Sequence, residues 1–230
     1  MAKVKLGPMV GQASGAIGAT VFSHNRYGAY VRQRVIPTLS TTAYAMNAKS
    51  HLATVSAAWG ILTAAQRTAW QTWSANNPIT DRLGDRQVLS GHAAYVKING
   101  RLTAAGQTNL DVPPIGDGPT GITSASLVAD IGAGGWALAF AATPLAATEM
   151  MELRACVVPD DSIQYVENYL RQVTYSAAAQ ATAWDFEAEM LARFGTLQVG
   201  QWVHCMLSVL DKATGLRSQP FKCSVAITTT

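Results

Sequence analysis

Three arginines and two tyrosines fall within one short stretch, Arg26, Tyr27, Tyr30, Arg32 and Arg34, and no other grouping in the chain is as suggestive of chemistry. A guanidinium is a rigid fork of donors that pairs two at a time with a carboxylate or a phosphate. A tyrosine beside it can stack on a base or pack into a protein interface. Phe22 and the glycines Gly7, Gly11 and Gly15 extend the candidate partner-binding set. The glycines recur every four residues, and their lack of a side chain allows close approach of a neighbouring backbone. Two partners fit this arm, an acidic or mixed protein surface and a nucleic acid. The first 34 residues hold only five basic residues among many small apolar ones, and the far end of the chain is acidic, which favours protein contact.

The remaining reactive residue types are scattered. His24, His51, His92 and His204 include no pair at metal-ligand spacing, and none belongs to a HExxH pattern. Glu187 and Glu189 read as alternating positions of a strand near 183–188, and Asp160 and Asp161 as a loop pair; both read as solvated surface. Gly132 to Gly135 reads as a tight turn, since no Lys-Ser/Thr and helix follow to make a phosphate loop. No GxSxG elbow or Cys-His nucleophile signature occurs. The expectation is a non-enzymatic protein with no catalytic residue, no cofactor, no metal and no small-molecule substrate.

Charge is distributed unevenly. The first acidic residue is Asp81, so residues 1–80 carry a formal +7, residues 81–106 add +2, and residues 107–230 carry −6, within a chain of net +3. Such polarity points to contact with a polyanion or with an acidic patch on another protein, further copies of this chain included. Only 13% of the 230 residues are charged and 49% are hydrophobic, against roughly 25% charged in an ordinary soluble domain. A chain of this kind is expected to hide surface against partners. Its longest apolar runs fall short of the ~20 residues of a membrane helix, and no apolar stretch with a cleavage site follows Lys3 and Lys5. We therefore expect no membrane span and no signal peptide.

These residues must be positioned by four successive segments. Residues 1–40 read as an extended glycine-rich basic arm ending in a β-hairpin, with turn chemistry at Asn25 to Gly28 and a strand over 29–35. Residues 41–106 read as a three-helix unit. Leu52, Val55, Trp59 and Leu62 form one stripe behind a Thr41 or Thr42 cap. Thr63 and Gln66 match a capping box opening a second helix with Trp70 and Trp73, and Ser90 caps a third with Tyr95, Ile98 and Leu102. Residues 107–122, with Pro113 and Pro114, read as a linker. Over 123–230 the apolar period becomes two, at Trp136, Leu138 and Phe140, at Leu153, Ala155 and Val157, at Val203 to Val209, and at Phe221 to Ile227. About seven short strands in this span give the pattern of an antiparallel β-sandwich. The fold class expected is thus α+β and multi-domain. Cys156, Cys205 and Cys223 fall in strands and read as buried free thiols. Cys205 and Cys223 lie equidistant from Thr214, in the middle of a hairpin, and so face each other across strands.

Two resemblances then emerge. The last hundred residues, closing on Val-Leu-Asp-Lys-Ala-Thr-Gly-Leu-Arg-Ser-Gln-Pro-Phe, resemble a fibronectin type III or immunoglobulin-like sandwich, without the Cys and Trp spacing of true immunoglobulin domains. The first hundred resemble poorly characterised proteins encoded by tailed bacteriophages and prophages. The residues that carry this are Gly-Pro-Met-Val-Gly-Gln-Ala-Ser-Gly, the run Phe22-Ser-His-Asn-Arg-Tyr-Gly-Ala-Tyr-Val-Arg-Gln-Arg34 with its continuation to Pro37, and the Ala-Gln-Arg-Thr-Ala-Trp70 helix. The resemblance implies a virion structural protein, made in the bacterial host cytoplasm, whose partners are other virion subunits and copies of itself. Capsid decoration or cementing through the arm is the leading expectation, and a neck, tail or fibre-attachment component the second. A nucleic-acid-binding protein using the basic N-terminal half is the alternative from another class.

Overall fold

A computed structural model describes residues 2–3, 7, 10, 12–25, 28–36, 38, 41–80, 84–132, 135–141 and 143–229. It is of mixed helix and antiparallel sheet, as the α+β reading anticipates. The chain divides into two compact units, 1–46 and 47–230.

The first unit is a four-stranded antiparallel sheet. Strands β1 (Ala2–Lys3), β2 (Gly15–Ile17), β3 (Thr20–Asn25) and β4 (Gly28–Gln33) lie in the order β1-β4-β3-β2. The expected hairpin is present as β3 and β4, with Asn25 opposite Gly28 at its closed end. What the residues did not disclose is that the arm before it also pairs. Gly15 to Ile17 lies along β3, and Ala2 and Lys3 lie opposite Val31 and Tyr30. The glycine-rich stretch is therefore partly strand, with Gly15 (φ +111°) in β2 and Gly18 (φ +57°) in the turn to β3 at backbone angles that side-chain-bearing residues rarely reach. Among the residues of 1–46 whose side chains are described, none is buried.

The second unit carries the cores. Helix α1 (Ala43–Ile61) crosses the division between the units, and Ala45 N–H donates to Thr42 Oγ1 at its start. The expected stripe is only half covered, since Val55 and Leu62 are buried while Leu52 is 55% exposed. The capping box forms as read. In α2 (Ala64–Asn76), Gln66 N–H donates to Thr63 Oγ1 at 3.3 Å and Thr63 N–H donates to Gln66 Oε1 at 2.8 Å. A small antiparallel pair, β5 (Ile79–Thr80) and β6 (Arg86–Gln87), precedes α3 (Gly91–Ala104), whose N-cap is Ser90. Val55, Leu62, Trp70, Tyr95, Ile98 and Leu102 bury one another. Rings meet edge-on there, Trp70 against Tyr95 at 5.4 Å between centroids, a favoured aromatic geometry. Residues 107–122 contain no helix or strand, yet they are laced to the helices. Asn99 accepts from Leu110 N–H at 2.6 Å and donates to Leu110 C=O at 3.2 Å, and Trp70 Nε1 donates to Asp111 C=O at 2.9 Å.

Beyond Thr123, β7 (Ser124–Ala129) pairs with β8 (Trp136–Ala141). A second sheet, in the order β10-β9-β11-β12, contains β9 (Glu149–Val158), β10 (Arg171–Tyr175), β11 (Trp202–Asp211) and β12 (Phe221–Ala226). Leu127, Trp136, Leu138 and Phe140 share one core with Met151, Leu153, Ala155, Val203, Cys205 and Leu207. β9 and β11 are buried almost continuously, which marks strands covered on both faces.

One element departs from expectation. The stretch near 183–188 is not a strand; only Trp184 bridges, to Leu138, and α4 (Glu187–Phe194) follows. Glu187 and Glu189 therefore sit in the first turn of a helix. Three features make it one. Phe186, Met190 and Phe194 recur every four residues and face the core, the Asp185 carboxylate accepts from Glu187 N–H at 3.0 Å, and the acids at the start with Arg193 at the end suit the helix dipole.

Candidate functional site

The β3–β4 register decides how the arm residues are displayed. Phe22 stands opposite Val31 and Thr20 opposite Gln33, while Ser23 stands opposite Tyr30 and Val21 opposite Arg32. Partners across an antiparallel pair share a face, and neighbours along a strand alternate. Phe22 and Val31 thus lie on one face, and Tyr30 and Arg32 on the other. The sequence reading grouped these residues, and the pleat divides them, with Phe22 and Val31 beside Thr20 and Gln33 on one side and Tyr30 and Arg32 beside Ser23 and Val21 on the other. Arg32 is exposed and Tyr30 half-buried. Arg34 lies just past β4, exposed, with its N–H donating to Ala19 C=O at 2.7 Å. Gly15 pairs with Phe22, and Gly7 accepts from Val10 N–H at 3.0 Å. A methyl group built on Gly7 or Gly15 would meet nothing within 4 Å in this chain. Gly11, Arg26 and Tyr27 lie outside the described residues.

A second concentration of charge lies in the larger unit, and sequence reasoning missed it. Glu152, on β9, is 2% exposed. Its two carboxylate oxygens accept from Arg154 Nε at 2.7 Å and from Arg217 Nη1 at 3.0 Å. Arg154 shares its face two residues along the strand, and Arg217 is brought in by a bridge to Leu210 on the neighbouring β11. Tyr175 stands opposite Glu152 on β10. Burial first, and the Glu152 charge second, push the Tyr175 phenol well above its ordinary value. From α3, Arg101 and Lys97 also feel this group. Burial and then Arg217 lower the pKa of Arg101, while burial, Arg101 and Arg217 lower that of Lys97. The local signal was Glu152 and Arg154 at a spacing of two inside the otherwise apolar stretch 150–158, which places unlike charges on one face of the strand.

The cysteines occupy the same sheet. Cys205 and Cys223 are cross-strand partners, as their symmetry about Thr214 predicts, and all three cysteines are free thiols. A hydrogen bond between this pair raises the Cys205 thiol, with burial adding to it, and lowers that of Cys223. They line a cavity of ≈ 210 Å³ with His204, Lys222 and Ser224. Among the described residues, no three His, Cys, Asp or Glu side chains gather closely enough to hold a metal ion. Nor is any described helix long and apolar enough to cross a membrane.

Compared with known proteins, the chain matches no protein-family model and no curated protein.

Proposed function

We propose that this protein is a non-enzymatic structural subunit of a tailed-phage particle that joins its neighbours through the N-terminal sheet. The reading is supported by the burial of the sheet, in which none of the side chains described within 1–46 is buried. Backbone pairing alone contributes on the order of 1 kcal/mol per hydrogen bond, about what ordering one residue's backbone costs. A sheet of such short strands gains durable stability when something covers it. Other subunits of the particle, or further copies of this chain, would supply that cover, with Phe22 on one face and Tyr30 and Arg32 on the other as contacts. Capsid decoration or cementing is the first role, and a neck, tail or fibre-attachment component the second. The strand-rich part of 123–230, with β7 and β8 sharing a core with the larger sheet, supports reading that segment as an immunoglobulin-like sandwich projecting from or packing on the particle.

The test is made on purified particles and on the isolated protein. The protein should be present in particles by mass spectrometry, with residues 1–46 cleaved readily in isolation and protected on assembly. Replacing Arg26, Arg32 and Arg34 with Gln should reduce incorporation, because each change leaves an interfacial carboxylate without its partner. Absence from particles, or equal protease protection in both states, defeats the proposal. Tight, steeply salt-dependent DNA binding that the triple replacement abolishes, with incorporation unchanged, transfers the basic face to nucleic acid.

A further inference from the structure

One carboxylate needs one cation, and Glu152 has a guanidinium on each oxygen. Two further cations stand beside this triad. The placement follows from Gly215 in the turn after β11. A Cβ at that position would lie 2.6 Å from Ile98 Cγ2 and 3.1 Å from Leu102 Cγ, so the turn rests directly against α3. Lys97 and Arg101, one turn apart, precede these two contact residues, and Arg217 follows Gly215 by two positions. Leu216 packs into the helical core, which holds the junction in place. Arg101 lies within electrostatic reach of Glu152, Arg154 and Arg217, and Lys97 within reach of Arg101 and Arg217, so one cluster holds four basic side chains and one carboxylate, an excess of three positive charges.

Arg101 is half-buried, and among the described residues it makes no ion pair. Its guanidinium is destabilised by burial and by Arg217, whereas Glu152 acts in the opposite sense. Tyr175 keeps its proton at neutral pH and so offers a neutral O–H donor beside Glu152. Neutral donors and converging cations in a partly desolvated place favour an anion. A carboxylate would offset one of the three excess charges. A phosphate carries about −1.5 to −2 at pH 7 and presents three acceptor oxygens, which suits guanidinium forks on more than one side.

We propose that Arg101, Arg154, Arg217 and Tyr175, gathered around Glu152, together with Lys97 beside Arg101 and Arg217, form a binding site for a phosphate oxyanion. The phosphate is either free or part of a nucleic-acid backbone. This site is separate from the N-terminal residues proposed to contact other subunits, and it stands or falls independently of them.

The experiment titrates the full-length protein with inorganic phosphate, with sodium chloride at matched ionic strength as control, by calorimetry and by thermal unfolding. Phosphate should raise Tm above the chloride control. Arg101→Gln should weaken phosphate binding by about tenfold or more, the size expected for one lost charge-assisted pair. Lys97→Gln, a structurally mild change at a position less covered than Arg101, should weaken it by a smaller factor and keeps the test open if Arg101→Gln fails to fold. A short DNA duplex at equal phosphate concentration distinguishes the sources. Tighter binding of duplex than of phosphate, lost in the same variants, assigns the site to a nucleic-acid backbone, and the reverse order assigns it to free phosphate. No response to phosphate or duplex beyond the chloride control overturns the proposal, as does binding unchanged in both variants.

Discussion

Residues 1–46 and 47–230 solve the problem of being a sheet in opposite ways. In the second unit, β9 and β11 are buried nearly end to end, with Leu153, Leu207 and Met151 at 0% exposure. In the first, β3 and β4 pair along their whole length, yet Ile17 is 75% exposed and nothing described is buried. Hydrogen bonding is common to both; full burial of apolar side chains is described only in the second. Since burial at ~25 cal/mol per Å² is the dominant favourable term in folding, the second unit holds itself together, and the proposed role would supply the first with cover from neighbouring subunits.

The comparison is broken most forcefully by removing one large apolar side chain from each unit. Leu207→Ala should cost about 2–5 kcal/mol, the range for a fully buried leucine. In a chain of this size that lowers Tm by roughly 2–4 °C per kcal/mol. Phe22→Ala should cost less than about 1 kcal/mol in the isolated protein, as for a substitution outside a core, and under the proposed structural role it should reduce incorporation into particles. Comparable losses of Tm in the isolated protein would show that the N-terminal sheet has a core of its own.

Gly215→Ala sharpens the second half of the comparison by asking whether α3 and the β11 turn support each other. The added methyl meets Ile98 and Leu102, and the residue's φ of +66° is unfavourable for alanine. Overpacking costs typically 1–3 kcal/mol and the left-handed backbone about 1–2 more. Calorimetry should show a Tm decrease of several degrees with a single transition. An unchanged Tm would mean that the turn moves freely off the helix.

What could be read from the residues was local. The Thr63–Gln66 box and the Ser90 cap depend on atoms three residues apart, and the Cys205–Cys223 pairing follows from symmetry about a single turn. The hairpin of 20–33 was legible for the same reason. What was lost depended on distance or on competing signals. Glu152 and Arg217 are 65 positions apart, and no periodicity announces that α3 will lie beside them. At 183–194, alternating acids suggested a strand, whereas the spacing of Phe186, Met190 and Phe194 was helical and prevailed because it fills the core. For the arm, glycines obscured the pairing of β1 and β2, since strand propensity resides in side chains that glycine lacks. The arm set survives as two faces of one sheet: the sequence supplied the members, and the pleat supplied the division.

The smallest effect concerns pH. His204 is 8% exposed, on the face of β11 that also carries Trp202, opposite Cys156, and its Nε2 has no partner among the described residues. Burial lowers its pKa, with Asp161 opposing. A histidine whose pKa is depressed in the folded state binds its proton less readily there than in the unfolded chain, where the value is about 6.5. Stability is therefore retained above pH ~6.5 and falls as pH drops through the interval down to the folded value, because the unfolded state takes up the proton first. His204→Leu removes the titrating ring and its unpartnered nitrogen. Between pH 7.5 and pH 5.5 the urea midpoint of the wild type should fall further than that of the variant. Parallel losses in both proteins would assign the acid sensitivity to other groups and leave His204 as packing alone.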